Sequence, residues 1–325
     1  MNDLLLEVKA LKKYFPIRKN IFFSKKTFVH AVDDVAFLLK QGQTVGLVGE
    51  SGCGKTTLGR LIALLEKPTA GNIIFKQENI ATLKKRELKE YRKSVQLIFQ
   101  DPYSSLNPRK TVYEIITTGI RSFRLIKTRK EIREKAALLL ELVGLSTEYL
   151  NNYPHEFSGG QRQRISIARA LALSPKLLIC DEPVSALDVS IQAQILNLLN
   201  SLKHKLNLAY IFISHDLAVV RHVSDQIFVM YRGKIIEKAP ALDLFKNTTH
   251  PYSKALISAI PEATLKKEKG RIILKGDVTT PVGKIKGCCF AERCYMAKKL
   301  CREESPEERE INPGHFTSCH FSEKV

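Results

Sequence analysis

The sequence lacks any apolar run of the roughly 20 residues that a helix needs to span a bilayer. Its first residues, Met1–Glu7, carry early acids and lack the long apolar core of a secretory signal. Hydrophobic residues nevertheless make up 44% of the 325 residues, which is enough for a substantial core. We therefore expect a cytosolic chain with one large domain and an extension.

Acidic residues are in short supply, with 33 against 52 lysines and arginines, and the formal net charge is +19. A basic chain of this kind either has a solvated surface or meets a nucleic acid or an anionic membrane face. The positive charges are scattered along the chain, and no arm or stripe concentrates them. Charge alone therefore does not favour nucleic acid as a partner.

One stretch fits G-x-x-x-x-G-K-[ST], the phosphate-binding loop of nucleoside-triphosphatases. A short apolar strand pattern, 44–48, precedes it and a helix pattern, 58–65, follows it. Loop N–H groups and the helix N-terminus would bind phosphate oxygens, Lys55 would reach the β- and γ-phosphates, and Thr56 would ligate Mg²⁺. The loop residues are Gly49, Glu50, Ser51, Gly52, Cys53, Gly54, Lys55, Thr56 and Thr57.

Polar residues follow three further strand patterns, where an open α/β sheet binds its ligands. Asp181 and Glu182 follow four apolar residues, so Asp181 would hold Mg²⁺ through water and Glu182 would polarise the attacking water. Gln100 can touch Mg²⁺ or water without adding charge, and His215 can hydrogen-bond the γ-phosphate. We predict Glu182, His215 and Gln100 as the catalytic residues.

The tetrapeptide Ser158, Gly159, Gly160, Gln161 predicts a second anion-binding helix start. Ser158 is a good N-cap, and the two glycines leave helix N–H groups uncovered. Because the phosphate loop already cradles the phosphates of its own chain, this helix would serve a nucleotide held by another subunit.

Strands alternate with helices, which predicts an α/β fold with a mainly parallel sheet. Strand patterns at Leu4–Leu11 and Ala31–Leu39 and a hairpin pattern over 226–237 predict an antiparallel β part. The loop 101–109 contains two prolines and is predicted to be non-helical. Helical patterns otherwise dominate from about 101 to 165, which predicts an inserted helical subdomain.

Five of the seven cysteines crowd the C-terminal extension. In a cytosolic protein such a group suggests metal, and four thiolates suit either zinc or an iron–sulfur cluster. The gaps between the cysteines are wider than in zinc ribbons, which favours a cluster. His320 is a competing ligand for such a metal. Unligated buried cysteines are the alternative.

These motifs occur in the order found in ATP-binding-cassette nucleotide-binding domains, and the chain resembles that family over roughly residues 4 to 250. The resemblance implies a phosphate-loop NTPase with ATP and Mg²⁺ as ligands, Mg²⁺ being held by Thr56, Gln100 and Asp181. It also implies a D-loop at Asp188 and an adenine-stacking aromatic at Phe15 or Tyr14. Two such domains would form a head-to-tail dimer, with ATP between Lys55 of one and Ser158 of the other.

Three stretches, 99–109, 181–194 and 250–256, resemble the ATPases of oligopeptide and dipeptide permeases, and Cys53 favours the F-type subunit. The resemblance implies a nucleotide-binding domain at 1–250 and an extension at 251–325. It also implies a [4Fe–4S] cluster on four of the cysteines, with zinc as the alternative metal. The expected ligands are Cys288, Cys294, Cys301 and Cys319, and Cys289, which falls between these positions, is a spare.

The partners implied are two transmembrane permease subunits, a paralogous D-type ATPase and, indirectly, an extracytoplasmic solute-binding protein. The chain would lie peripherally on the cytoplasmic face of the membrane. There an exposed Tyr103 and Leu106 would pack on a permease helix; the alternative is that they pack within the helical insertion. Nickel and opine importers share many of these features. A nucleic-acid or ribosome-associated ATPase is a further alternative, but with one cassette and no basic arm we expect no nucleic acid.

Overall fold

The structure is a computed structural model, and it describes residues 3–17, 27–260, 271–276, 282–283 and 285–325. The chain divides into two compact units. The first contains Met1–Leu39, Thr44–Ala81 and Phe212–Val325, and the second contains Lys40–Gln43 and Thr82–Ile211.

Strands and helices alternate through the middle of the chain. The strands are β1 (Leu4–Ile17), β2 (Thr27–Lys40), β3 (Thr44–Val48), β4 (Ala70–Phe75), β5 (Glu78–Asn79), β6 (Val95–Ile98), β7 (Leu177–Asp181), β8 (Ala209–Ile213), β9 (Gln226–Tyr231), β10 (Lys234–Pro240), β11 (Arg309–Asn312) and β12 (His315–Thr317). The helices are α1 (Lys55–Ile62), α2 (Lys85–Ser94), α3 (Pro102–Ser105), α4 (Val112–Phe123), α5 (Arg129–Leu142), α6 (Gly159–Leu171), α7 (Val189–Leu206), α8 (Leu217–Val223), α9 (Ala241–Lys246), α10 (Pro251–Ser258) and α11 (Lys299–Glu303).

The first unit combines parallel and antiparallel strands. Strand β3 is parallel to β9, with Val48 paired to Val229, and β9 turns back into antiparallel β10. The C-terminal hairpin β11–β12 extends this sheet by pairing β12 with β10. A second sheet joins β2, β1, β4 and β5. All five residues of β3 are buried, as expected for a parallel strand covered on both faces.

The second unit contains the parallel pair β6 and β7 and helices α2 to α7. Helix α5 buries Ile132, Ala136, Leu139 and Leu140, which lie on one apolar face of the helix. Helices α3 to α6 follow β6 along the chain and occupy the stretch predicted as a helical insertion. The bounds of that insertion and of the predicted domains stay predictions.

The prediction of a non-helical loop over 101–109 is wrong at its start, because α3 forms one helical turn there. The Asp101 carboxylate accepts a hydrogen bond from the N–H of Tyr103 at 2.8 Å, and its carbonyl accepts one from Ser105 at 3.1 Å. A proline in the first helical turn costs no hydrogen bond, since its missing N–H would have no partner within the helix. Pro102 is therefore compatible with the helical turn that it begins.

None of the helices in the described ranges has both the length and the apolar character that crossing a bilayer requires.

Candidate functional site

The phosphate loop lies in the first unit, between β3 and α1, as the sequence predicts. Two of its glycines have no room for a side chain. A Cβ on Gly54 would lie 2.1 Å from the carbonyl oxygen of Ala31, and one on Gly49 would lie 2.2 Å from that of Met230. Both residues also have positive φ angles, 112° and 151°. The loop is therefore packed tightly against the β-strands behind it.

Lys55 is held inside this loop by the loop's own carbonyl groups. Its ammonium group donates to the carbonyl of Gly49 at 2.7 Å and to that of Glu50 at 3.0 Å, and only 5% of the residue is exposed. The thiol of Cys53 lies 3.8 Å from the same nitrogen, and burial raises the pKa of that thiol. A buried cation in a loop of N–H donors suits a polyphosphate. Thr56 and Thr57 follow in the first turn of α1.

His215 lies close to the strand that leads into the loop. Its neighbour Ser214 donates its backbone N–H to the carbonyl of Leu47 at 3.2 Å. His215 itself is exposed just beyond the end of β8, and Asp216 caps the following helix. The hydrogen bond of His215 to the γ-phosphate stays a prediction.

The two aromatic candidates for adenine differ in their surroundings. Tyr14 stacks on His30 with ring centroids 3.9 Å apart, and its hydroxyl donates to Asp33 at 2.5 Å. Burial, reinforced by this hydrogen bond, raises the pKa of Tyr14. Phe15 is partly exposed, with the ammonium of Lys13 4.7 Å from its ring centroid. Because Tyr14 is engaged within the chain, Phe15 is the better candidate for stacking.

Gln100 and Glu182 meet in the second unit. The Gln100 amide donates to the Glu182 carboxylate at 2.8 Å, just beyond the ends of the paired strands β6 and β7. Glu182 has a φ of 47°, an uncommon angle for a side-chain-bearing residue, and its carbonyl accepts from the N–H and hydroxyl of Ser185. Asp181 ends β7 and is buried. The two predicted catalytic side chains of this unit are therefore in direct contact.

Ser158 caps α6 as predicted. Its hydroxyl accepts a hydrogen bond from the N–H of Gln161 at 3.3 Å, and the Gln161 side chain accepts one from the N–H of Ser158 at 3.0 Å. A Cβ on Gly160 would lie 2.4 Å from the side chain of Ile191, so α6 packs closely on α7. Ser158 is exposed at the start of a 13-residue helix whose first turn contains two glycines.

Asp188, the predicted D-loop residue, caps α7 in the same unit. Its carboxylate accepts from the N–H of Ile191 at 2.9 Å and from the hydroxyl of Ser190 at 2.8 Å. The backbone hydrogen bond from Ile191, followed by the one from Ser190, lowers the pKa of Asp188. The carboxylate is thus fixed as an exposed anion.

Of the two residues predicted to be exposed for a permease contact, one is exposed and the other is buried. Tyr103 is 66% exposed, and the guanidinium of Arg162 lies 3.8 Å from its ring centroid. Leu106 is only 2% exposed, so the prediction that it is exposed is wrong. Its side chain lies in the core of the second unit, because burying an apolar leucine is more favourable than exposing it to water.

The four predicted cluster cysteines line one small cavity in the first unit, and Cys289 does not line it. A hydrogen bond from the Cys289 thiol lowers the pKa of Cys288, and the same contact raises that of Cys289. His320 also borders the cavity, while its Nε2 lies 3.0 Å from the carbonyl oxygen of Glu304.

Among the described residues, no group of three or more cysteine, histidine or acidic side chains is arranged to hold a metal ion. The predicted iron–sulfur cluster therefore has no support from ligand geometry. The chemistry of the donor set, four thiols around one cavity, still suits such a group.

Two residues near the phosphate loop were missed by the sequence reasoning. The Arg293 guanidinium forms an ion pair with Glu50 of the loop at 2.6 Å, and the hydroxyl of Tyr252 accepts the N–H of Glu50 at 2.9 Å. No local pattern indicates these contacts, because they join positions 243 and 202 residues apart.

Residues 32–185 match the ABC transporter family, and residues 236–301 match the C-terminal region of oligopeptide/dipeptide transporters. The oligopeptide transport ATP-binding protein AppF of Bacillus subtilis is 51% identical, with 98% of each chain covered. The dipeptide transport ATP-binding protein DppF of Haemophilus influenzae is 46% identical, covering 98% of this chain and 97% of its own.

Solved structures agree with this likeness. The dimeric post-hydrolysis structure of the ATP-binding cassette MJ0796, bound to ADP and Pi, aligns with a TM-score of 0.64 and 27% identity over 73% of this chain and 99% of its own. Cassette motifs, the described fold and full-length likeness all agree. The chain belongs to the ABC transporter ATPases, and within them to the ATP-binding proteins of oligopeptide and dipeptide transport.

Proposed function

We propose that this chain is the ATP-hydrolysing subunit that energises import of oligopeptides or dipeptides through a membrane permease. The contact between Gln100 and Glu182 supports the hydrolytic part, because it holds a carboxylate beyond the end of β7 beside the buried Asp181. The full-length likeness to AppF, which includes the C-terminal region, supports the solute class.

The chemistry divides among the chain's own residues. Lys55 and the loop N–H groups bind the phosphates of ATP, and Glu182 accepts a proton from the attacking water. Gln100 orients the Glu182 carboxylate, and His215 donates to the γ-phosphate. Thr56, Asp181 and Gln100 would hold Mg²⁺, which neutralises charge on the phosphates when bound.

The working unit in this proposal is a dimer. Ser158 is an exposed helix cap with two glycines behind it, which is the arrangement that binds an anion from outside the helix. We assign it to the nucleotide held by a second ATPase, a paralogous D-type chain. The dimeric structure of MJ0796 supports such an assembly.

The remaining partners are two permease subunits at the cytoplasmic face of the membrane and, indirectly, a solute-binding protein. Exposed Tyr103 is stacked on Arg162 of α6, which supports a docking surface in contact with that helix. Arg169 of the same helix donates to the carbonyl of Ser105 at 2.6 Å, which ties the docking segment to α6 a second time.

We also propose that Cys288, Cys294, Cys301 and Cys319 hold a [4Fe–4S] cluster, since they line one cavity that excludes Cys289. Protein purified without oxygen should be brown and contain iron. Cys294→Ser should lose the colour and the iron, and Cys289→Ser, the matched control, should retain them. Stoichiometric zinc in colourless protein would replace the cluster with a zinc site, and metal-free protein would refute both.

Solute uptake by cells tests the transport function. Cells that lack this chain should not accumulate labelled dipeptide or oligopeptide, and wild-type protein should restore uptake while Glu182→Gln should not. Uptake of nickel or an opine, without peptide, would contradict the solute class. Copurification with ribosomes in place of membranes would contradict the transport role.

A further inference from the structure

We propose that Arg293 is a positioning residue for the phosphate loop, through which the cysteine-bearing extension sets the affinity for nucleotide. This inference rests on the proposed function, because it assigns a means of regulation to the same ATP site. Every contact that supports it lies within the first unit.

The ion pair between Arg293 and Glu50 is bidentate. The Nη1 nitrogen lies 2.6 Å from Oε2 of Glu50, and the Nη2 nitrogen lies 3.0 Å from Oε1. The Arg293 side chain is only 9% exposed, and its Nε donates to the carbonyl of Lys275 at 3.2 Å. Two parallel charge-assisted hydrogen bonds fix the direction of a carboxylate as well as its position.

The main chain of Glu50 is held from the same side. Its N–H donates to the hydroxyl of Tyr252 at 2.9 Å. Tyr252 is fully buried, with its ring centroid 4.7 Å from that of Tyr231 and 5.3 Å from that of Phe290. Phe290 also lines the cavity of the four cysteines. The ring that carries this hydroxyl therefore packs against the segment that bears the cysteines.

These contacts reach the phosphate-binding lysine through one further hydrogen bond. Lys55 donates to the carbonyl of Glu50, whose side chain and N–H are the groups that Arg293 and Tyr252 hold. A loop fixed in its binding shape does not lose further conformational entropy when it closes on phosphates. The extension therefore prepares the loop for nucleotide.

A second contact joins the extension to the loop. The N–H of Gly233, in the turn between β9 and β10, donates to the carbonyl of Cys53 at 2.8 Å. Its neighbour Arg232 donates to Glu292 at 3.1 Å and to the carbonyl of Cys289 at 3.4 Å. Glu292 and Arg293 lie between two cysteines that line the cavity, so the fold of this segment determines both contacts.

Charge gives the two members of the ion pair different consequences. Arg293 neutralises a carboxylate in a loop that binds a polyanion, so its loss leaves an anion that repels phosphate. Loss of the Glu50 carboxylate leaves a cation, which does not repel phosphate. A pair that only stabilised the fold would show no such asymmetry.

Nucleotide titration of the purified full-length chain tests this inference. Arg293→Gln should bind ATP roughly tenfold more weakly, as expected when one charge-assisted hydrogen-bonded pair is lost. Glu50→Gln should weaken binding less, and adding it to Arg293→Gln should recover part of the affinity. Arg302→Gln, an exposed arginine of the same extension, is the matched control and should bind as wild type.

Unchanged affinity in Arg293→Gln would overturn the inference, and so would equal losses in Arg293→Gln and Glu50→Gln. If Arg293→Gln does not fold, Tyr252→Phe removes only the acceptor of the Glu50 N–H, and unchanged affinity there would overturn it as well. Failure of the wild-type chain to bind ATP would instead contradict the proposed function.

Hydrogen exchange provides a readout that a purely structural role would not change. Because coupling between two sites is reciprocal, bound nucleotide must stabilise the segment that stabilises the loop. ADP should slow exchange over 285–294 in the wild-type chain and should fail to do so in folded Arg293→Gln at saturating ADP. Equal slowing in both proteins would contradict the role of Arg293.

Discussion

The side-chain amide of Gln100 donates a hydrogen bond of 2.8 Å to the carboxylate of Glu182. The two residues lie 82 positions apart and meet because β6 and β7 are parallel neighbours whose carboxyl ends share one edge. The amide donor fixes the direction of the carboxylate without placing a second charge beside it.

Glu182→Gln should bind ATP but hydrolyse it about 10²- to 10⁴-fold more slowly, the range typical for the loss of a general base. The substitution keeps the size of the side chain and removes only its basicity. Single-turnover hydrolysis measured alongside ATP binding checks this. Exposed Glu141→Gln on α5 is the control, and steady hydrolysis at a near-normal rate in Glu182→Gln would exclude Glu182 as the base.

Gln100→Glu should shift the acid limb of the pH–rate profile to higher pH. A second carboxylate at contact distance from Glu182 repels it, so the pair holds on to a proton that a base must lack. Gln100→Ala removes the orienting amide without adding charge, so it should lower the rate and shift the limb less than Gln100→Glu does. Identical profiles for the two variants would argue against the contact in solution.

Ser158→Ala should abolish hydrolysis by the assembled dimer and spare ATP binding by the isolated chain. Loss of the cap also costs stability, about 1 kcal/mol. Thr128→Ala is a matched control, since the Thr128 hydroxyl caps α5 by accepting from Glu131 at the same 3.3 Å. Both variants should lose similar stability, but only Ser158→Ala should lose hydrolysis. Equal activity would contradict a nucleotide role for Ser158.

Local features of the candidate site could be predicted from the sequence. Ser158 is recognisable as a cap because its partner, Gln161, is three residues away, and Lys55 because the loop motif is contiguous. The pairing of Arg293 with Glu50 was not predictable, because a folded chain alone brings together positions 243 residues apart. The exposure of Leu106 was mispredicted for a similar reason. Whether an apolar residue in a loop is buried depends on packing against residues that are distant in the sequence.

A network of hydrogen bonds around a buried histidine joins the C-terminal hairpin to the rest of the first unit. His315 of β12 is fully buried, with Nε2 2.9 Å from Glu237 and Nδ1 2.7 Å from Asp243, and Thr249 also donates to Glu237 at 2.7 Å. Burial lowers the pKa of His315, but the hydrogen bonds that its ring donates to Glu237 and Asp243 outweigh burial and raise the pKa above its ordinary value.

His315→Gln should therefore destabilise the protein more at pH 6 than at pH 9. A histidine whose pKa is raised on folding contributes stability below its unfolded pKa of about 6.5, and that contribution is lost as the pH rises through the folded value. Melting temperatures of variant and wild type at several pH values measure this. His204→Gln, an exposed residue of α7, should show no such trend, and a larger loss at pH 9 would contradict the sign.

Tyr103 and Leu106 lie three residues apart and should fail in different ways when shortened. Tyr103→Ala removes an exposed ring, so the chain should fold and hydrolyse ATP but lose peptide uptake with its permease. Leu106→Ala empties a buried position and should destabilise the second unit by about 2–5 kcal/mol. Assays of uptake, of basal hydrolysis and of thermal unfolding separate the two. Normal uptake by Tyr103→Ala would exclude Tyr103 from the docking surface, because transport would then not require its ring.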